Sequence, residues 1–306
     1  TKTIPMVLIS RIEHDIQLLA SSPRNSRENS EQHANAIDWI AGEFENIGLR
    51  TERQVFNIPQ QSPARSGTNI IGELNHANSS STPILIGAHF DTVPGSPGAD
   101  DNASGVAAML ECARVLASSA SERRVTFVAF DAEEMQPPTE GLHASTAFVE
   151  QLALESRPSA AIIFESIGFS SSTIKQRLPG SFRILFRKAF KALIRQNFES
   201  DSLLILSKGK GRNVSRQLEK SASDPDIDLA ILPLEVPWWM PVVRNLRRSD
   251  HAPFWLAGIP AVMISDTANF RNPHHHQPTD TPDTVDVDLV AKAARTVLDV
   301  IERGAI

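Results

Sequence analysis

Carboxylate and imidazole side chains follow four short apolar runs of this sequence. In chain order they are His89 and Asp91, then Asp131, Glu133 and Glu134, then Glu165, and finally Asp266 with the histidine tract 274–276. One such junction would mean little, because polar residues often follow strands. Four in one sheet would concentrate negative charge at one rim, which is costly unless a positive group lies there. A pair of divalent cations is the usual solution.

The ligand types narrow the choice of metal. Candidate histidines with several carboxylates and no nearby cysteine favour zinc, with manganese or cobalt as alternatives. Magnesium and calcium rarely use imidazole. The residues by themselves therefore predict a metal-dependent hydrolase.

The elements that must position these residues are strands alternating with helices. Near-continuous apolar runs are typical of strands that are buried on both faces, and they span 83–88, 125–130, 160–164, 229–234 and 259–264. Segments 50–58 and 68–74 alternate more and predict edge strands or an antiparallel pair. Apolar periodicity predicts helices over 31–47, 103–117, 142–154, 180–197 and 287–303, with Asn102 as the N-cap of the second. The pattern favours a single α/β domain over residues 1–306.

Composition excludes several classes of partner. The chain of 306 residues has a net charge of −6 and no long basic run, which argues against a nucleic-acid partner. Its apolar runs are too short to span a membrane.

The sequence says little about the compartment. A single cysteine, Cys112, permits no internal disulfide, and no signal peptide is visible at the first residues. The oligomeric state and the compartment stay open, with a secreted or periplasmic location slightly favoured over a cytoplasmic one.

The ordered set of motifs "GAHFDT", "PGADDNASG", "FDAEE", "SDHAPF" and "HQPTDTPDT" resembles the co-catalytic zinc exopeptidases. That family includes bacterial zinc aminopeptidases, glutamate carboxypeptidase and the glutaminyl cyclases, and the match runs from about residue 83 to 286. The resemblance implies a three-layer α/β/α fold with a mixed, mostly parallel central sheet. It also implies two zinc ions per chain and a peptide substrate.

The resemblance implies a role for each matching residue. The metal ligands it gives are His89, Asp100, Glu134, Glu165 and His276, with Asp100 shared between the two ions. Asp91 would lie behind His89 and orient its imidazole, although a plain turn residue is the alternative. Glu133 would be the general base, taking a proton from a metal-bridging water and passing it to the leaving amine. Asp101 is interpreted as a residue of the turn or of the helix start.

One departure from the family concerns the residue before the last histidine ligand. Many relatives carry a tyrosine there, whose hydroxyl can donate to the tetrahedral intermediate. This chain has no tyrosine, and His275 occupies the position. Two hypotheses stay open: His275 replaces the tyrosine as an oxyanion donor, or it faces solvent.

Several functions agree with these motifs. A zinc aminopeptidase that removes N-terminal residues from peptides is the leading interpretation. A glutaminyl-peptide cyclase uses much the same ligands, and a carboxypeptidase or dipeptidase of the same family is a further alternative. A non-catalytic, receptor-like relative is disfavoured, because such proteins lose ligands or the base.

Overall fold

The computed structural model describes residues 6–60, 64–74, 82–119, 123–134, 141–177, 186–195, 197–237, 239 and 246–306. Within them the strands are β1 Arg50–Ile58, β2 Arg65–Leu74, β3 Ile84–His89, β4 Val125–Phe130, β5 Ala160–Glu165, β6 Leu203–Lys208, β7 Ile231–Val236 and β8 Ala261–Ser265. The helices are α1 Ile9–Leu19, α2 Ser30–Ile47, α3 Gly105–Ser118, α4 His143–Gln151, α5 Arg187–Arg195, α6 Gly211–Ala222, α7 His251–Leu256 and α8 Val287–Glu302.

The strands form one sheet in the order β1-β2-β4-β3-β5-β8-β6-β7. Four of its seven strand pairs are parallel, namely β3 with β4, β3 with β5, β5 with β8 and β6 with β7. β1 and β2 form an antiparallel pair at one edge, as their alternating sequences predict. The predicted α/β class with a mixed, mostly parallel sheet is confirmed.

Both faces of the central strands are covered by helices. In β3, Ile84 and Ile86 contribute to a core that includes apolar residues of α3 and α8, whereas Leu85 contributes to a second core with residues of α4 and α7. This alternation is the two-residue period of a strand buried on both sides. It explains why the run reads as continuously apolar, and it gives the predicted three layers.

The helices differ from their sequence predictions mainly at their ends. The helix predicted over 103–117 begins at Gly105, after an irregular turn Ala99–Ser104 in which Asp101 and Asn102 have non-helical dihedral angles. The N-cap position is Ser104 and not the predicted Asn102, although Oδ1 of Asn102 accepts the Gly105 N–H at 3.2 Å. Residues 180–185 and 196, at the ends of the predicted helix 180–197, lie outside the described residues. The periodicity arguments missed α1, α6, α7 and β6.

Parallel strands bring their carboxyl ends to the same edge of the sheet, and ligands of α/β proteins bind there. His89 is the last residue of β3 and pairs with Phe130 at the end of β4. Glu165 is the last residue of β5 and pairs with Ser265 of β8. The predicted site residues therefore converge at this edge. No helix of the described residues has both the length and the apolar character that a membrane span requires.

Candidate metal centre

Asp101 lies at the centre of the residues gathered at this edge. Its carboxylate is 3% exposed and faces histidines from two directions. Oδ1 lies 3.2 Å from Nε2 of His89, and Oδ2 lies 3.1 Å from Nε2 of His276 and 3.0 Å from Nδ1 of His275. One carboxylate thus joins two groups of potential metal ligands.

The first group consists of His89, Asp101 and Glu165, whose ligand atoms lie within 4.8 Å of one another. Oε1 of Glu165 is 3.5 Å from Nε2 of His89. That nitrogen and Oδ1 of Asp101 are both buried, and neither has a hydrogen-bond partner. Buried polar atoms rarely lack a partner. Two such atoms that face each other without forming a hydrogen bond fit a cation held between them.

The second group is built around His276. Its Nε2 lies 3.0 Å from Oε1 of Glu134, in addition to its contact with Asp101. The ligand atoms of Asp101, His275 and His276 also lie within 4.8 Å of one another. Imidazole nitrogen and carboxylate oxygen are donors that zinc prefers, and cysteine is absent from both groups. The residues of both groups therefore fit zinc.

The charges around Asp101, Glu134 and His276 favour the binding of a cation. Burial raises the pKa of the Glu134 carboxyl, and the nearby Asp101 raises it further. Burial on its own would lower the pKa of His276, but its contacts with Asp101 and Glu134 outweigh that effect and raise the pKa to about 10. A carboxyl that favours protonation beside an imidazole that favours its cationic form indicates excess negative charge. A bound divalent ion would offset the same charge.

Asp100, the residue predicted as the shared ligand, lies outside both groups. Its Oδ1 accepts the Gly168 N–H at 2.7 Å, and its Oδ2 accepts Nδ2 of Asn272 at 2.7 Å. The sequence prediction is corrected here, because the carboxylate of Asp100 is occupied by structural hydrogen bonds and the neighbouring Asp101 faces the histidines. Asp101 does lie in the turn before α3, as predicted, but its carboxylate also faces His89, which its position in the turn did not indicate.

The turn that contains Asp100 and Asp101 is held in place through its backbone. The carboxylate of Asp280 accepts the N–H groups of Asp100 and Asp101 at 2.9 and 3.1 Å. Gly98 begins the turn at φ +64°, and a Cβ atom there would come within 2.3 Å of the Asp101 carbonyl oxygen. Only glycine fits this position without a shift of the chain. The local backbone therefore decides which aspartate faces the site.

Asp91 lies behind the site and supports two of its elements. Nδ1 of His89 is 3.2 Å from the Asp91 carbonyl oxygen and 3.5 Å from its carboxylate. The two carboxylate oxygens of Asp91 accept the N–H groups of Glu133 and Glu134 at 3.0 and 3.2 Å. The predicted contact between Asp91 and the His89 imidazole is thus present. The hydrogen bonds between Asp91 and the backbone of Glu133 and Glu134 were not indicated by the spacing.

Glu133 and Glu134 face the same cavity but differ in their contacts. Glu134 contacts His276, whereas Glu133 belongs to neither ligand group among the described residues. Burial raises the pKa of Glu133 well above its ordinary value; the positive His89 opposes this and the nearby carboxylates Glu165 and Glu134 add to it. A carboxyl with a raised pKa beside a metal cluster suits proton transfer near neutral pH.

Sequence reasoning missed Arg24, which holds the loop after β3. The residue is 2% exposed, and its side chain donates to the carbonyl oxygens of Phe90 at 2.7 Å, Leu19 at 2.5 Å, Pro97 at 2.7 Å and Gly98 at 3.0 Å. Burial lowers its pKa to about 10, which leaves it charged at neutral pH. Its position in a loop far from any motif gave no signal in the sequence.

A further missed contact concerns Ser249, whose hydroxyl donates to Oε2 of Glu165 at 2.7 Å. This bond leaves Oε1 of Glu165 directed at His89. Asp131, one of the acids that follow β4, pairs with Nε2 of His33 at 2.7 Å and accepts the Thr68 N–H at 2.8 Å. It therefore braces the loop before the two glutamates.

An apolar cavity opens beside the cluster. Its polar lining includes Asp101, Glu133, Glu134, Glu165, His275 and His276. Its apolar lining, called the apolar wall below, consists of Leu204 and Leu206 from β6, Leu234 from β7, Leu246 and Met263. A polar, charged site next to an apolar wall is typical of a small-ligand pocket.

Comparison with known proteins agrees with this geometry. The model of Peptidase family M28 matches residues 69–225 and 240–301 of the chain. The chain belongs to Peptidase family M28. It is therefore a peptidase of that family, which confirms the resemblance drawn from the motifs.

Individual relatives extend the match over the whole fold. The uncharacterized protein YfbL of Escherichia coli is 29% identical over 303 residues, covering 95% of this chain and 87% of its own. Aminopeptidase YwaD of Bacillus subtilis is 43% identical over 90 residues, covering 29% of this chain and 19% of its own. A zinc aminopeptidase of Bacillus subtilis shares the fold with a TM-score of 0.75 at 17% identity, over 99% of this chain and 96% of that one.

Proposed function

We propose that this member of the family is a di-zinc aminopeptidase that hydrolyses the first peptide bond of its substrate. The observation that carries the proposal is the position of Asp101 between two groups of imidazole and carboxylate ligands, with Glu133 beside them in the same cavity. His89, Asp101 and Glu165 would hold one zinc ion. Asp101, Glu134 and His276 would hold the other. The aminopeptidase names of YwaD and of the Bacillus subtilis structure support the reaction type.

Zinc bound by these residues would supply Lewis acidity at the scissile carbonyl and lower the pKa of water. The chain supplies the proton transfer. Glu133 accepts a proton as water attacks the carbonyl carbon, and it donates that proton to the leaving amine. A base must lie within hydrogen-bond reach of the proton that it takes. The hydrogen bond from the Glu133 N–H to the Asp91 carboxylate helps to position Glu133 for this.

The apolar wall of the cavity predicts which type of N-terminal residue the peptide substrate carries. Leu206 and Leu234 are 2% and 1% exposed and line the same cavity as Glu133 and Glu165. An apolar side chain of the substrate would be desolvated there, which contributes about 25 cal/mol per Å² of buried surface. We therefore expect leucine-like first residues to be favoured over charged ones.

The proposal is tested with purified protein loaded with zinc. Hydrolysis of a leucine anilide supports an aminopeptidase. Release of ammonia from a glutaminyl peptide, with a cyclised product, would instead identify a cyclase. A protein with two bound zinc ions that performs neither reaction contradicts both functions.

The two adjacent glutamates give a matched pair of variants. We expect Glu133→Gln to abolish turnover while two zinc ions stay bound, because the base is lost and no ligand is. Glu134→Gln is expected to lower the zinc content, because it removes a ligand beside His276. The reverse pattern, with metal lost only in Glu133→Gln, would show that the two roles are exchanged.

A further inference from the structure

His275 lies inside the metal cluster rather than in solvent. Its side chain is 11% exposed, and its Nδ1 is 3.0 Å from Oδ2 of Asp101. The oxygen that it faces is the same one that Nε2 of His276 approaches at 3.1 Å. Two imidazole nitrogens therefore converge on one carboxylate oxygen.

The contact between His275 and Asp101 lacks the geometry of a hydrogen bond. Nδ1 of His275 is buried and has no hydrogen-bond partner in the described part of the chain, although the carboxylate is close. Nε2 of His89 shows the same pattern on the other side of Asp101. A nitrogen and an oxygen about 3 Å apart that do not bond to each other are arranged as two ligands of one ion are. His275 thus has the same geometric signature as His89, a residue of the first ligand group.

The backbone explains how two consecutive histidines reach one position. Successive side chains point to opposite sides of an extended chain. His276, however, has φ +60°, in the left-handed region that few residues other than glycine adopt. Its ring stacks on that of His275, with centroids 3.8 Å apart and planes at 24°. Backbone conformations of this kind persist where the surroundings impose them, often at functional sites.

We propose that His275 binds the second zinc ion through Nδ1, together with Asp101, Glu134 and His276. This inference rests on the two-zinc arrangement of the proposed function and adds a ligand to it. Four protein ligands fill the tetrahedral shell that zinc prefers, as in structural sites. The first group has three protein ligands, His89, Asp101 and Glu165, and so retains an open position.

The experiment measures metal binding and does not depend on activity. Metal-free protein is titrated with zinc against a chromophoric chelator, and the number of sites and their dissociation constants are determined. For His275→Ala we expect one tight site and one site weakened by at least about 100-fold, since the loss of supporting contacts alone costs 10- to 100-fold. His275→Tyr restores a hydrogen-bond donor without an imidazole, and we expect it to lose zinc as His275→Ala does.

The neighbouring histidine provides the control. Nδ1 of His274 bonds to Oγ1 of Thr279 at 2.9 Å, and its ring packs near Phe169 instead of the cluster. His274→Ala should therefore bind two zinc ions with native affinity. If His275→Ala and His275→Tyr also bind two ions with native affinity, the proposal is overturned. A fall in turnover in His275→Ala with rescue by tyrosine would then identify His275 as an oxyanion donor.

Crystals of the zinc-loaded native protein give a second readout that needs no variant. Anomalous scattering locates the ions, and we expect Nδ1 of His275 at about 2.0–2.1 Å from the second one. A distance beyond about 3 Å would exclude coordination. If zinc is bound as proposed and no peptide is hydrolysed, the proposed function fails while the role of His275 stands.

Discussion

The placement of Asp101 between the two ligand groups leads to a sharp prediction about two adjacent residues. Asp101→Asn keeps the size of the side chain but replaces a carboxylate that lies 3.2 Å from His89 and 3.1 Å from His276. Because one residue serves both groups, we expect both zinc sites to weaken. Asp100→Asn changes a carboxylate that contacts Gly168 and Asn272, so it should leave the zinc content at two per chain.

The size of the effect follows from binding linkage. A ligand at 100 times its dissociation constant stabilises the folded state by about 2.7 kcal/mol per site. If each site of Asp101→Asn is weakened about 100-fold, the same zinc concentration contributes only about 0.4 kcal/mol per site. We therefore expect zinc to raise the free energy of unfolding by about 5 kcal/mol in the native protein and by about 1 kcal/mol in Asp101→Asn.

Urea unfolding with and without zinc measures this difference, and elemental analysis after dialysis gives the zinc content. Asp100→Asn is expected to lose about 1–3 kcal/mol in both conditions alike, since Nδ2 of Asn272 loses its acceptor whether or not zinc is bound. If Asp100→Asn abolishes the response to zinc while Asp101→Asn retains it, Asp100 and not Asp101 is the residue that binds zinc.

Three further predictions concern residues around the centre. Arg24→Met leaves buried carbonyl oxygens without donors, so urea unfolding should show a free energy of unfolding lower by about 3–5 kcal/mol. A decrease below about 1 kcal/mol would contradict the role of Arg24 in holding the loop after β3. Burial lowers the pKa of His251 to about 4, so the unfolded chain binds more protons between about pH 4 and 6.5 and stability falls as the pH drops through that window. His251→Gln should therefore reduce the stability lost between pH 7 and pH 5 by about 2 kcal/mol, and an unchanged pH profile would contradict this. Leu206→Phe narrows the apolar cavity, so the ratio of kcat/KM for leucine over alanine anilides should fall about 10-fold, whereas an unchanged ratio would place the leucine side chain elsewhere.

Much of the fold was predictable because its signals are local. The buried strands read as apolar runs of strand length, since both faces of the sheet are covered, and the runs at 83–88 and 125–130 became β3 and β4 within a residue or two. The end of α2 at Gly48 and its left-handed C-cap follow from the glycine itself. The strand β6, whose Leu204 and Leu206 line the cavity, was not predicted.

The sequence by itself determined which kinds of potential metal ligand gather at the edge of the sheet, and the order in which they follow the strands. Residue type sets the chemistry of a donor, and the parallel strands bring donors from distant positions to one edge. The sequence did not distinguish Asp100 from Asp101, because spacing along the chain cannot tell which of two neighbours faces a site. The backbone of the turn decides that, and it is held by Gly98 and by Asp280, 180 residues after Asp100.

The same reason applies to Arg24 and His275, whose surroundings only the tertiary structure decided. The carbonyl oxygens that hold the Arg24 side chain include two more than 70 residues away, at Pro97 and Gly98. The convergence of His275 and His276 on Asp101 involves a left-handed backbone angle at His276. Neither depends on a pattern within a short window of sequence, because long-range packing selects one conformation among several that the local chain allows.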